Sequence, residues 1–238
     1  MRTIQFIKGH FYHIFNRGVE KRDIFESEAD MWRFLQALFL FNDEKSLISS
    51  LYGLERDKGA MNFSVIKNFF QEQGYNRDPL VRICADCLMP NHFHLLIEEI
   101  KENGISRFMH KIGTGYTNFF NAKYDRVGSL LQGPYKAVMV ENDDYLQYLL
   151  AYINIINPAQ LIEPEIKEKG VMDIDKVLDF AENYQWSTHQ YYLGKMESII
   201  VDKGIFQNFF PTPEEYRDFS KKILLGRQYK SASSLFLE

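Results

Sequence analysis

The sequence predicts an α+β domain: a central antiparallel sheet with flanking helices. Three observations predict it. Short apolar or alternating stretches beginning at His10, Val81, His92 and Tyr135 read as strands. The second and third are separated only by the turn-forming Met89-Pro90-Asn91, which makes them a hairpin-like pair. Longer stretches between and after them repeat apolar residues at helical spacing. Hairpin signals among interleaved helices favour an antiparallel or mixed sheet over a purely parallel one, and we expect its helices on one side.

Each element has its own signal. His10 to Phe15 alternates and ends at the turn-like Asn16-Arg17-Gly18. Asp30 is a candidate cap for a helix carrying Trp32, Phe34, Leu35, Leu38, Phe39 and Phe41, apolar enough to be buried. From about 42 to 80 the character changes. The charge run Glu55 to Gly59 is followed by an amphipathic piece with Phe63, Ile66, Phe69 and Phe70, and Gly74, Asn76 and Pro79 close it. This reads as a helical insertion between core elements. Val81 to Leu88 is a strand that turns into His92-Phe93-His94-Leu95-Leu96-Ile97. Ile105 to Tyr124 is a helix with Ile105, Phe108, Met109, Ile112, Tyr116, Phe119 and Phe120 on one face. Gly113 and Gly115 mark close packing or a kink in it. Tyr135 to Val140 is a further strand. Asp143 or Asp144 caps a helix with Tyr145, Leu149, Tyr152, Ile153 and Ile156, which Pro158 stops. A polar stretch to Lys169, a helix at Val177 to Tyr184, the segment Trp186-Ser187-Thr188, a final helix from Pro213 to Leu225 and a frayed tail from Arg227 complete the chain.

Composition limits the functional classes. At 238 residues the chain can bury one substantial domain. The net charge of −4 argues against a protein that coats duplex DNA but leaves room for a local basic groove. Twenty Phe and 14 Tyr exceed ordinary usage, and aromatic rings serve both cores and base stacking. Two Cys make no disulfide framework and suit a reducing compartment. There is no signal-peptide-like apolar core and no run of 18 apolar residues, so a cytoplasmic protein with no membrane partner is expected.

The chemistry centres on His92 and His94. Residues two apart on a strand share a face, so the two imidazoles project together and offer half of a metal site. Spacing alone equally describes two histidines on a half-wet sheet face. Cys84-Ala-Asp-Cys87 ahead of them suggests zinc, but three residues apart on a regular strand the two thiols face opposite ways. Two structural thiols are the plainer reading. A divalent ion held by two imidazoles and one oxygen ligand would keep open positions, as a substrate phosphate requires. Two tyrosines on amphipathic helices can supply a nucleophile: Tyr116, flanked by glycines, and Tyr152, just before Asn157-Pro158.

Met89-Pro90-Asn91-His92-Phe93-His94-Leu95-Leu96 resembles the signature of HUH single-tyrosine transposases, in the REP-associated tyrosine transposase branch. (HUH denotes two histidines around a bulky apolar residue.) His13 to Gly18, Tyr116 to Asn121, Gly128, Gln132-Gly133 to Ala137, Tyr152-Ile153 with Asn157-Pro158, and Trp186-Ser187 resemble other parts of that family in the same order. The resemblance implies a ferredoxin-like or RRM-like nuclease core within 1–190, the insertion at about 42–80, and a C-terminal helical extension at 191–238. It implies cleavage and rejoining of single-stranded DNA beside a hairpin, through a 5′-phosphotyrosine. Tyr152 would be the nucleophile, with Tyr116 the alternative. His92, His94 and Asn157 would hold Mg or Mn. The implied setting is the cytoplasm at the nucleoid, as a monomer or homodimer. Arg17, Lys21, Arg22, Arg126 and Lys136 are candidate phosphate contacts. In the family the tyrosine precedes an amide by one helical turn. Here the spacing is five, with Ile156 at position four, so Asn157 needs a one-residue bulge, or the unwinding Pro158 encourages, to share Tyr152's face. A non-cleaving binder of hairpin DNA or RNA, descended from a transposase, is the alternative function.

Overall fold

The computed structural model describes residues 4–45 and 62–229. Four strands, β1 (Phe11–Arg17), β2 (Val81–Met89), β3 (His92–Glu99) and β4 (Lys136–Met139), form one antiparallel sheet in the order β2-β3-β1-β4. Six helices longer than one turn are described: α1 (Glu28–Phe41), α2 (Phe63–Glu72), α3 (Gly104–Lys123), α4 (Asp143–Ala151), α5 (Ile174–Asn183) and α6 (Pro213–Tyr229). The α+β class is as expected. None of the described helices is long and apolar enough to cross a membrane.

Helices cover both faces of the sheet, not one. Leu95, Leu96 and Ile97 are consecutive and fully buried, so β3 must be covered on either side. Tyr12, Ile14, Phe93, Leu95 and Ile97 pack with α1 and α3. Cys87, Met89 and Leu96 pack on the other side with Leu149, Tyr152 and Ile156. Tyr192, Phe206, Tyr216 and Leu224 belong to this second cluster, so residues beyond 190 build the same core as α4.

Two local expectations change. The cap of α1 is Ser27; Asp30 sits inside the first turn, where its carboxylate accepts the Ser27 N–H at 3.0 Å. A β-bulge between Ile83 and Ala85 shifts the register of β2. The extra residue puts Cys84 and Cys87 in the same buried cluster, not on opposite faces. Burial pushes both thiols well above the ordinary range, so they are protonated packing residues.

Buried polar side chains fasten the layers. Asn42, just past α1, donates to Val81 O at 2.8 Å and accepts from Leu80 N and Val81 N, pinning the start of β2. The Glu99 carboxylate at the end of β3 accepts the N–H groups of Gly104 and Ile105, a favourable charge at the N-terminus of α3. A Cβ on Gly104 would lie 2.2 Å from Leu80 O, which is why that helix begins with glycine. A Cβ on Gly115 would lie 2.5 Å from the Phe41 ring; this glycine serves close helix packing. Of the expected insertion, α2 is described, capped by Asn62. The Glu55–Gly59 charge run lies outside the described residues. The final helix continues through Tyr229, past the point where a frayed tail was expected.

Candidate functional site

The register of the sheet assembles one polar row. Arg17 is directly opposite His92, and Phe15 is directly opposite His94. Lys136 on β4 is opposite Phe15. Paired residues share a face, so Arg17, Phe15, His13, His92, His94 and Lys136 lie on one side of the sheet. This is the face covered by Tyr152.

His94 is the hub. Its Nδ1 lies 2.8 Å from His13 Nε2, the two rings joined edge to edge and tilted by 21°, with centres 5.0 Å apart. Phe15 stacks on its flank at 5.6 Å, and His92 stands edge-on at 5.1 Å. Burial, and after it the neighbouring His13 and His92, hold His94 well below the usual imidazole range. It is therefore neutral, with a lone pair to offer. His92 Nδ1 lies 2.6 Å from Asn91 Oδ1.

The helix of Tyr152 departs from regular geometry where the Tyr152–Asn157 spacing calls for it. Immediately after α4, Tyr152–Ile156 form a π-turn in which the Asn157 N–H bonds the Tyr152 carbonyl. On a regular α-helix, residues five apart point about 140° away from each other. A π-turn brings i and i+5 one above the other. Pro158 supplies a reason for it, because it has no N–H for the Asn154 carbonyl four residues back. The Ser187 hydroxyl lies 3.4 Å from that carbonyl instead. Asn154 points elsewhere: it donates to the Tyr216 hydroxyl at 3.0 Å and accepts from the Thr188 hydroxyl at 2.6 Å.

Tyr152 joins the histidines. Its ring stands edge-on to His94 at 5.9 Å and to His13 at 6.0 Å, and the residue is only 1% exposed. The Lys167 ammonium lies 5.2 Å from the centre of the Tyr152 ring. Asn157 is buried, with its Oδ1 accepting from Gln160 Nε2 at 3.0 Å and its Nδ2 left without a hydrogen-bond partner. The structure thus groups His92, His94 and Tyr152, and leaves Asn157 bonded to its own helix.

Tyr116 does not join them. It lies in the other layer, against Phe25, Phe34 and Phe120. Its hydroxyl donates to Ile24 O at 2.6 Å, and burial pushes its pKa far up. A phenol so placed packs as a core residue, apart from the histidines.

The candidate phosphate contacts divide. Arg17, with its Nε donating to Gln132 Oε1, and Lys136, with its ammonium 5.6 Å from the Phe15 ring centre, belong to the histidine face. Lys21 and Arg22 lie in the turn that packs on Pro90-Asn91; Asn91 Nδ2 donates to the Lys21 carbonyl, and Arg22 pairs with Glu20 at 3.4 Å. Arg126 follows α3, with its guanidinium over Phe120 in the opposite layer. It is apart from the histidines. Two residues of the site escaped the sequence reading. His13 had its place in an alternating strand and in the His13 to Gly18 resemblance as signals, but neither pointed to a contact with His94. Lys167 lay in a stretch that read as merely polar.

Two imidazoles suit Mn better than Mg, which prefers oxygen. His92 and His94 lie on one face of the sheet with ring centres 5.1 Å apart, a pair of nitrogen donors for one cation. Among the described residues there is no group of three or more His, Cys, Asp or Glu side chains that could hold a metal ion.

Residues 64–155 match the family model described as "Transposase IS200 like". That stretch contains the histidine strand and ends within the π-turn that begins at Tyr152. A solved structure of a REP-associated tyrosine transposase bound to a REP hairpin is similar to this chain at 13% identity and a TM-score of 0.46. The alignment covers 85% of this chain and 93% of that one. No curated protein sequence matches the chain.

Proposed function

We propose that this chain, IS200-like transposase sequence over residues 64–155, is a metal-dependent single-strand DNA transesterase. It would cleave and rejoin DNA beside hairpins. The observation that carries the proposal is the placement of Tyr152. A helix-borne phenol stands edge-on to a strand-borne imidazole, with a π-turn that aligns it with the one amide predicted to share its face.

The chemistry follows from that placement. The Tyr152 oxygen attacks the scissile phosphorus and the phenol gives up its proton. An Oη–P bond forms, the P–O3′ bond breaks, and the 3′ oxygen leaves as a hydroxyl, so that on balance one proton passes from the phenol to O3′. The product is a 5′-phosphotyrosine. Attack of a 3′-hydroxyl on that phosphorus reverses the step without ATP, since one phosphodiester bond replaces another. Phosphoryl transfer asks mainly for positioning and charge neutralisation. His92, His94 and Asn157 would hold a Mn or Mg ion, which supplies neutralising charge at the non-bridging oxygens when bound. Arg17 and Lys136 flank the same face for the backbone phosphates, and Lys167 places positive charge beside the phenol. Monomer and homodimer are both compatible with this reading.

The test mixes the protein, Mn or Mg, and single-stranded oligonucleotides bearing hairpins from the flanks of its own gene. A protein–DNA adduct that survives denaturation is expected, lost in Tyr152→Phe and kept in Tyr116→Phe. The second reading, a binder that no longer cuts, is favoured by the burial of Tyr152 and by the bond from Gln160 to Asn157 Oδ1. Hairpin binding without an adduct in either metal would select it.

A further inference from the structure

We propose that His13 and Asn91 are positioning residues that fix the tautomers of His94 and His92, so that both rings present Nε2 lone pairs. The inference rests on the metal reading above and adds the groups that prepare the ligands. A neutral imidazole carries one proton. If it sits on Nε2, that nitrogen cannot bind a cation, and the partner of Nδ1 decides which case holds.

For His92 the assignment follows along a chain of contacts. Asn91 Nδ2 donates to the Lys21 carbonyl at 3.1 Å, which orients the amide. Asn91 Oδ1 therefore faces His92 Nδ1, at 2.6 Å. An amide oxygen only accepts, so Nδ1 carries the proton and Nε2 the lone pair. His94 makes the corresponding Nδ1 contact, to a ring nitrogen that can accept or donate. Its Nδ1 is 2.8 Å from His13 Nε2, so one ring donates to the other. When His94 donates, its Nε2 matches that of His92; when His13 donates, His94 presents an N–H and the pair is split. His13 lies 81 positions from His94 and reaches it because the β1–β3 register sets both on one face.

The experiment reads the rings directly. Long-range ¹H–¹⁵N spectra of ¹⁵N-histidine-labelled, metal-free protein distinguish the two neutral tautomers. His92 and His94 are both expected as Nδ1–H. His13→Gln keeps an acceptor near the Nε2 position and should keep the His94 tautomer. His13→Leu removes it and should shift His94 toward Nε2–H. Mn(II) affinity, read by titration calorimetry without DNA, should fall by ~10- to 100-fold in His13→Leu and recover in His13→Gln. Finding His94 as Nε2–H in the wild-type protein overturns the proposal, and so does a His13→Leu protein that binds Mn(II) as the wild type does. If His13→Leu does not fold, the wild-type spectrum and His13→Gln still decide. His94→Ala is the control for the underlying reading: if it leaves Mn(II) binding intact, the metal site is wrong, whatever the tautomers.

Discussion

Replacing Asp86 by Asn should change how stability depends on pH, by an amount the structure sets. Asp86 lies on β2 and is buried. Its main chain is engaged, since Thr188 N donates to Asp86 O at 3.1 Å. Burial raises its carboxyl from the ordinary 3.8 to about 7. The folded protein therefore keeps the proton through a range where the unfolded chain has lost it, and stability falls as pH rises from about 4 to about 7. Above that range both states are ionised and the cost is constant. At 1.36 kcal/mol per pH unit, the full cost is about 4 kcal/mol. Asn does not titrate, so the stability of Asp86→Asn relative to wild type should climb by up to about 4 kcal/mol across the window and then level off. Its own packing cost adds only a constant offset. Denaturant unfolding followed by far-UV circular dichroism, in steps from about pH 4.5 to about pH 8.5, measures this difference, and other titrating groups cancel from it. A difference that stays flat over the whole range would refute the reasoning.

Three further outcomes follow from buried contacts. Gly104→Ala drives a Cβ onto the Leu80 carbonyl and should cost about 2–4 kcal/mol in denaturant unfolding. Tyr116→Phe removes the bond to Ile24 O and should cost about 1–2 kcal/mol while leaving adduct formation unchanged, so stability and activity separate at this tyrosine. His189 is held down to about 3, by burial first and Arg217 second, so it stays neutral in the fold. Its contribution is complete above the unfolded value near 6.5 and is lost as pH falls toward 3, and His189→Gln should move the acid-unfolding midpoint to lower pH.

What could be read from the sequence was what repeats locally. The period-2 strand from His92 and the turn before it needed no knowledge of the fold, and neither did the helical stripe of α3. The run Leu95-Leu96-Ile97 announced a buried strand, but its second covered face became evident only with α4 packed on it. The bulge at Cys84 had no signature, because one extra residue in a run of apolar ones leaves the pattern unbroken. Ser27 and Asp30 are both good caps by residue type, and only the backbone shows that Ser27 holds the position. His13 required pairing across most of the domain, which periodicity does not report. Lys167 required the chain to return past the π-turn.

The extra residue between Tyr152 and Asn157 has a second consequence. Inserting it widens one turn of the helix, and Pro158 leaves the Asn154 carbonyl without its helical donor. The side chain and carbonyl of Asn154 face the segment after α5. There Thr188 and Ser187 reach them, while Leu88 N and Thr188 N tie the same segment to β2. Tyr216 from α6 closes the group, its hydroxyl accepting from Asn154 Nδ2 and lying 2.8 Å from His189 Nδ1. The residues that hold the Tyr152 helix against the sheet thus come partly from beyond position 190. One irregular turn carries Tyr152 and Asn157 at its two ends and, through Asn154, anchors the C-terminal helix. Asn154→Ala should therefore loosen both at once, lowering stability and blurring the placement of Tyr152, although Asn154 faces away from the histidines.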